Sequence, residues 1–340
     1  MSIERAIKRN KKTEIDGKGF PEHRLIPSSE RQKELTAEWI LPYEEVILED
    51  ARDIRKQVDR SLPRTEKIRE RSKKFDRPYP KGFCGEIRNA VLEDMKLAMM
   101  DRSKPGMQAL RGFVRQGGVI QPFWGIDNGM YFQNAIQIGD AILDVANDTV
   151  DTSKEPVVFY PNQSEAPIKR INNFTEFADV AESYWDTEVY PNIYLPHLAP
   201  LYPVLILHRA GKGKQKSDRL YLEQGVSDLM VDNLRSVTKD DLLFGLSSNF
   251  LFKSPYSEKR LPDDILEAMF SNEVIKEVQG KRPDAFATTT DPEIARQEFH
   301  RFHKGADINT VYPRYVKEAE EMRRNGYALA GFPIAKIMRF

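Results

Sequence analysis

The sequence is poor in cysteine. One cysteine, Cys84, stands among 340 residues, so the chain can form neither an intramolecular disulfide nor a zinc site built from several cysteines. Secreted chains commonly use disulfides, whereas a lone thiol suits a reducing compartment. The single thiol is therefore interpreted in two ways, as a small buried packing residue or as a reactive group.

Long apolar runs and a surplus of one charge are also absent. No apolar run approaches the roughly 18 residues that a membrane-spanning helix needs, and the stretch Met1–Arg5 lacks the apolar core of a signal peptide. Basic and acidic residues number 52 each, which gives no global reason to expect a nucleic-acid partner. We expect a cytoplasmic protein without a membrane partner, or one delivered by a non-secretory route such as assembly into a larger particle.

The length allows two domains, or one core with large additions. We divide the chain into a basic arm with helices over 1–75, a core over 76–190 and a mostly helical region over 191–340. A basic start without apolar periodicity is typical of a solvated tail, and short arms of this kind also bind nucleic acid. The basic residues of the arm are Arg5, Lys8, Arg9, Lys11 and Lys12.

Helix signals are clear in the first third of the chain. The capping box Ser29–Gln32 predicts a helix start. Pro42 is expected to end or kink that helix, or to be the first residue of the next one. The next predicted helix carries Val46, Ile47, Ala51, Ile54 and Val58 at helical spacing. A further helix is predicted from Cys84 to about Arg102, since apolar residues recur there at the same spacing. A short helix is expected over Met107–Gln116, before Gly117-Gly118.

The centre of the chain predicts an antiparallel meander, because alternating segments are separated by tight-turn sequences. Its predicted strands are Val119–Gly125, Met130–Ile138 and Ala141–Ala146. Short strands are also expected at Val157–Tyr160 and Val204–His208, and packed irregular chain over Tyr190–Tyr202. The remaining predicted helices are Phe174–Trp185, Arg219–Ser236, Lys239–Leu246, Pro262–Gln279, Asp291–Lys304 and Tyr315–Gly326.

Cys84 stands where its helix should begin. Unpaired backbone N–H groups and the positive end of the helix dipole favour a thiolate at such a position. This is a common placement of a catalytic cysteine, although packing remains the alternative.

A cysteine that opens a helix, followed by an antiparallel meander, resembles the transglutaminase-like branch of the papain-like cysteine hydrolases. The resemblance covers about Tyr79 to Val150 and depends on Gly82-Phe83-Cys84 and on Ala141–Val145. It implies an α+β fold with the Cys84 helix packed on a small antiparallel sheet. It also implies Cys84 as the nucleophile and Asp144 as the acid that orients a histidine on the preceding strand.

At the position of that histidine this sequence has Asn134. An amide cannot accept a proton near neutral pH, so Asn134 cannot act as the general base that a Cys–His pair requires. Either the domain keeps the scaffold without the chemistry, or His197 or His208 reaches Cys84 in space. A half-buried structural histidine is the other interpretation of both.

Two groups of side chains, three aspartates and two histidines, are of types that bind metals, but their spacing does not support a metal site. Asp144, Asp148 and Asp151 do not match an EF-hand loop, which also needs a glycine that is missing here. His300 and His303 lie three apart on a predicted helix, but a zinc site would need a third ligand from elsewhere. We therefore predict neither a metal nor another cofactor.

A basic loop follows the strand that ends at His208. The residue types around its lysines, Lys212, Lys214 and Lys216, are those found in phosphate-binding loops. Their spacing, however, is not that of a Walker A loop. A solvated loop is one interpretation, and contact with phosphate, RNA or DNA is the other.

Two functional hypotheses follow. The first is a transglutaminase/papain-like domain, either a degenerate scaffold or a cysteine-dependent amide or acyl hydrolase or transferase acting on a protein or peptide. The second is a structural or interaction protein that uses its charged helices and basic arm within a larger assembly. Asn134, standing where a histidine is expected, favours the second hypothesis.

Overall fold

The structure is a computed structural model that describes residues 24–101, 103–196, 198–209, 218–235, 240–271 and 288–303. It is a mixed α/β protein with antiparallel sheets. The chain divides into two compact units, Met1–Arg170 and Ile171–Phe340. The helices before residue 76 share a core with the Cys84 helix.

The described part of the first unit, residues 24–101 and 103–170, contains five α-helices. They are α1 (Glu30–Trp39), α2 (Glu44–Ser61), α3 (Glu66–Phe75), α4 (Cys84–Ala98) and α5 (Pro105–Arg115), with 3-10 turns at Leu41–Tyr43 and Leu62–Arg64. The predicted helix start at Ser29 is confirmed, since its hydroxyl accepts a hydrogen bond from the Gln32 N–H at 3.3 Å. Helix α4 begins at Cys84 as predicted and ends at Ala98, a few residues before the predicted end.

The meander is confirmed and becomes part of a five-stranded antiparallel sheet. Its strands are β1 (Ile120–Asp127), β2 (Tyr131–Ile138), β3 (Ala141–Asp144), β4 (Val158–Tyr160) and β5 (Ile168–Lys169), in the order β4-β3-β2-β1-β5. The turns use left-handed backbone at Asn128 (φ 49°), Gly129 (φ 72°) and Gly139 (φ 60°), which tight hairpins require.

Side chains alternate between the two faces of this sheet, and each face has its own core. On the inner face, Ile136, Ile138 and Leu143 join the main core with helices α1, α2, α4 and α5. On the outer face, Phe123 and Ile142 belong to a smaller apolar cluster. Register fixes this division, since Ile136 pairs with Leu143 and the adjacent Gln137 pairs with Ile142.

The second unit combines a three-stranded antiparallel sheet, in the order β6-β7-β8, with helices. Its elements among the described residues are α6 (Phe174–Trp185), β6 (Glu188–Pro191), β7 (Val204–His208), β8 (Arg219–Leu222), α7 (Gln224–Arg235), α8 (Asp240–Phe252), α9 (Asp263–Ser271) and α10 (Pro292–His303), with a 3-10 turn at Pro255–Glu258. No helix among the described residues is both long and apolar enough to cross a membrane.

Two sequence predictions in the second unit are corrected. The helix predicted over Arg219–Ser236 is a strand followed by a helix, because Arg219–Leu222 pairs with β7. Part of the irregular chain predicted over Tyr190–Tyr202 is the end of β6, which also pairs with β7. The helix predicted over Tyr315–Gly326 lies outside the described residues.

Candidate functional site

The backbone before α4 places Cys84 at the first position of the helix. The Gly82 N–H donates to the Thr149 carbonyl at 3.0 Å, and Gly82 has a φ of 75°, which favours glycine. Phe83 is fully buried, and its carbonyl accepts the first helical bond from the Ile87 N–H at 2.9 Å. These contacts hold the partly buried Cys84 against the inner face of the sheet.

Asn134 is the side chain that meets the thiol. It lies on the inner face of β2, and its Nδ2 donates a hydrogen bond to Cys84 Sγ at 3.2 Å. A Cβ added at Gly85 would lie 3.8 Å from the same nitrogen, so the amide packs over the first turn of α4. The structure therefore brings Cys84 and Asn134 together, and the group facing the sulfur is a hydrogen-bond donor.

The electrostatics of the site do not favour a thiolate. Burial raises the pKa of the Cys84 thiol, while the Asn134 hydrogen bond and the nearby Arg88 guanidinium lower that pKa to a smaller extent. The stabilisation predicted for a thiolate at a helix start is thus outweighed by desolvation.

Arg88 is a site residue that the sequence prediction missed. It is 2% exposed, and its Nη1 donates to the Phe123 carbonyl at 3.0 Å while its Nε donates to Asn89 Oδ1 at 2.9 Å. Burial lowers its pKa to about 10, and the proximity of Cys84 and Glu86 raises it in part. The available signal was its spacing of four residues from Cys84, which places both side chains on one helix face.

Asp144 does not join Cys84 and Asn134. Its carboxylate accepts hydrogen bonds from Gln133 Nε2 at 3.1 and 2.8 Å and from the Ala146 N–H at 2.8 Å. Gln133 is adjacent to Asn134 on β2, so the two side chains point to opposite faces of the sheet. Asp144 is therefore on the outer face, where it cannot orient a group at position 134.

The predicted histidines do not belong to this unit. His208 ends β7 in the second unit, and His197 lies outside the described residues. The sequence from residue 24 to residue 170 contains no histidine. The part of the first unit that the structure describes thus supplies no imidazole to Cys84.

The side chains considered as metal ligands have other partners or cannot be placed. Asp148 forms an ion pair with Arg55, and Asp151 accepts from the Ser153 backbone N–H at 3.0 Å. His300 is exposed, whereas the side chain of His303 is not among those described. Within the described ranges, no cluster of three or more His, Cys, Asp or Glu residues could hold a metal ion. The loop bearing Lys212, Lys214 and Lys216 lies outside those ranges, so its contact with phosphate stays a prediction.

No family model, curated protein or solved structure matches this chain. The residues and their geometry are therefore the basis for a functional proposal.

Proposed function

We propose that the first unit is a transglutaminase/papain-like scaffold without hydrolase chemistry, which acts by binding a protein or peptide partner. The observation that carries the proposal is the 3.2 Å hydrogen bond from Asn134 Nδ2 to Cys84 Sγ. A cysteine hydrolase needs a base at this point to take the thiol proton, and an amide donor cannot take it. The position of Asp144 on the outer face supports the same conclusion, because the orienting acid is then also missing.

One observation favours a second candidate function, cysteine-dependent hydrolysis or transfer of an amide or acyl group. The buried guanidinium of Arg88 lies near Cys84 and offsets part of the rise that burial causes in the pKa of the thiol. In that function Cys84 would attack an acyl carbonyl, and the backbone N–H groups at the start of α4 would stabilise the oxyanion. The base would have to come from outside residues 24–170, where all five histidines of the chain lie.

The test is the alkylation of Cys84 by iodoacetamide as a function of pH. The chain has one cysteine, so every labelled site is Cys84. We expect a titration midpoint above the ordinary value of 9.0 and slow labelling at pH 7. Fast labelling at pH 7, with a midpoint below about 8.5, would contradict the proposal and favour the enzyme.

An Asn134→His variant sharpens this test. An imidazole in place of the amide can accept the thiol proton, so we expect labelling at pH 7 to become faster, by about tenfold or more. Asn172→His is the matched control, because Asn172 is an exposed asparagine of the second unit. Equal labelling rates in the two variants would mean that position 134 does not control the thiol.

A further inference from the structure

The outer face of the five-stranded sheet holds an extended segment of the chain itself, Arg24–Ser28. Three glutamine side chains contact this segment, and their sequence positions are far from it and from one another: Gln121, Gln137 and Gln163. Gln121 and Gln137 form a cross-strand pair on β1 and β2, and Gln121 Nε2 donates to Gln137 Oε1 at 3.0 Å. We call the surface formed by these three glutamines and the outer apolar cluster the glutamine groove.

The glutamine groove contacts main-chain atoms of the segment. Gln137 Oε1 accepts from the Ile26 N–H at 3.0 Å, and Gln137 Nε2 donates to the Ile26 carbonyl at 2.8 Å. Gln121 Nε2 donates to the Arg24 carbonyl at 2.8 Å, and Gln163 Nε2 donates to the Ile26 carbonyl at 3.0 Å. A glutamine amide that pairs with both polar groups of one residue replaces the peptide group of a neighbouring strand.

Two side chains of the segment, Leu25 and Ser28, are held in place. Leu25 is 6% exposed and belongs to the outer apolar cluster. Its cluster neighbours are Phe123, Ala135, Ile142, Ala166 and Ile168. Ile26 is only partly buried and Pro27 is exposed. Ser28 Oγ accepts from Gln163 Nε2 at 2.8 Å and donates to the Gly139 carbonyl at 3.2 Å. The contacts thus require an extended backbone, an apolar side chain at position 25 and a hydroxyl at position 28.

The chemistry of the groove allows its occupant to leave. A strand that is permanently built into a sheet is held by backbone ladder bonds, whereas Ile26 is held by side-chain amides. When a peptide leaves, water can satisfy those amides. The sheet itself keeps its own ladder, since the segment contributes no strand to it.

We propose that the glutamine groove is a peptide-binding site that holds Arg24–Ser28 as an internal ligand. Its partner is an extended segment of another protein with an apolar side chain at the position of Leu25. This inference rests on the binding role proposed above and gives that role a surface and a partner class. The groove and Cys84 lie on opposite faces of the sheet, so a failed peptide test would leave the Cys84 result intact.

Fluorescence anisotropy of a labelled peptide with the sequence of residues 24–29, Arg-Leu-Ile-Pro-Ser-Ser, tests the proposal on the full chain. In the wild type the tethered segment competes at high effective concentration, so we expect weak binding. Leu25→Asp removes the anchor of the internal segment, and we expect it to bind the peptide at least about tenfold more tightly than the wild type. Pro27→Asp adds the same charge at an exposed position and should bind as the wild type does.

Adding Gln137→Ala to the Leu25→Asp chain should abolish the gain, because the paired bonds to the peptide backbone are lost. A folded Leu25→Asp variant that does not bind, or a gain that survives Gln137→Ala, would overturn the proposal. Hydrogen exchange of the wild type tests it even if Leu25→Asp fails to fold. The Ile26 amide should exchange about a hundredfold faster than the amides of β2, and equally slow exchange would make the segment an integral part of the sheet.

Discussion

At the scale of single residues, the adjacent side chains of Gln133 and Asn134 serve different faces of one sheet. Asn134 donates to the thiol of Cys84 on the inner face, while Gln133 donates to Asp144 on the outer face. Gln133 Oε1 is buried without a hydrogen-bond partner, although its Nε2 has three acceptors. The hydrogen-bond donors to Asp144 are uncharged groups, and burial raises the pKa of its carboxyl group from 3.8 to about 7.

The raised pKa of Asp144 predicts that the stability of the protein depends on pH. The folded protein binds the Asp144 proton more tightly than the unfolded chain, so the contribution of this group is most favourable below about pH 4 and is lost as the pH rises to 7. The difference amounts to roughly 4 kcal/mol at most. We expect Asp144→Asn to remove this part of the pH dependence and to raise the free energy of unfolding at pH 8.

Urea unfolding at pH 4, 6 and 8 measures the effect. Asp53→Asn is the control, because Asp53 is an exposed aspartate on α2. A loss of stability at pH 8 in Asp144→Asn would mean that the hydrogen bonds from Gln133 and Ala146 outweigh the desolvation of the charge.

At the scale of elements, α2 and α5 approach each other closely in the main core. A Cβ added at Gly106 would lie 2.5 Å from the Val46 carbonyl oxygen and 2.6 Å from Ile47 Cα. The same turn of α5 is capped from α2, since the Met107 N–H donates to Asp50 Oδ2 at 3.2 Å. The glycine therefore lets the backbones of two helices touch, and no flexible side chain can move to make room.

Gly106→Ala is accordingly expected to lower the free energy of unfolding by about 1–3 kcal/mol or more, through overpacking against backbone atoms. Gly245→Ala is the matched control, because Gly245 is also helical and a Cβ there would meet nothing within 4 Å. That change should stabilise the protein by about 0.5–1 kcal/mol, the ordinary gain of alanine over glycine in a helix. Thermal unfolding, monitored by circular dichroism, compares the two variants. Equal changes in stability would contradict the close contact at Gly106.

At the scale of the whole first unit, one buried arginine connects parts of the chain that are distant in sequence. Arg55 on α2 is 2% exposed and pairs with both carboxylate oxygens of Asp148, at 2.9 and 3.0 Å. It also donates to the Val145 carbonyl at 2.7 Å and to Asp59 Oδ1 at 2.8 Å, and Asp59 accepts from the Tyr79 hydroxyl. The helices, the end of the meander and the segment leading to Cys84 thus share one network.

Removing one partner of this network should be costly. We expect Asp148→Ala to lower the free energy of unfolding by about 3–5 kcal/mol, because the Arg55 charge stays buried without its main counterion. Asp53→Ala breaks an exposed ion pair with Lys56 and should cost less than about 1 kcal/mol. Similar losses in the two variants, measured by urea unfolding, would show that the buried pair has no special role.

Some helices and strands could be predicted from local sequence, because the residues that indicate them lie within the element or in the adjacent turns. The start of α4 at Cys84, the strands of the meander and helix α6 follow from apolar periodicity and turn residues. Strand β8 was predicted as part of a helix, because Arg219–Leu222 is too short to show a period of its own. Its pairing with β7 decides its conformation, and that partner is distant in sequence.

The candidate site shows the same division. The sequence alone determined that Cys84 opens a helix and that residue 134 is an asparagine without basic character. Only the tertiary structure decided that Asn134 faces the thiol, that Asp144 points away and that three distant glutamines surround Arg24–Ser28. The physical reason is that strand register and packing between distant segments choose the face and the partner of each side chain, and neither is encoded in local periodicity.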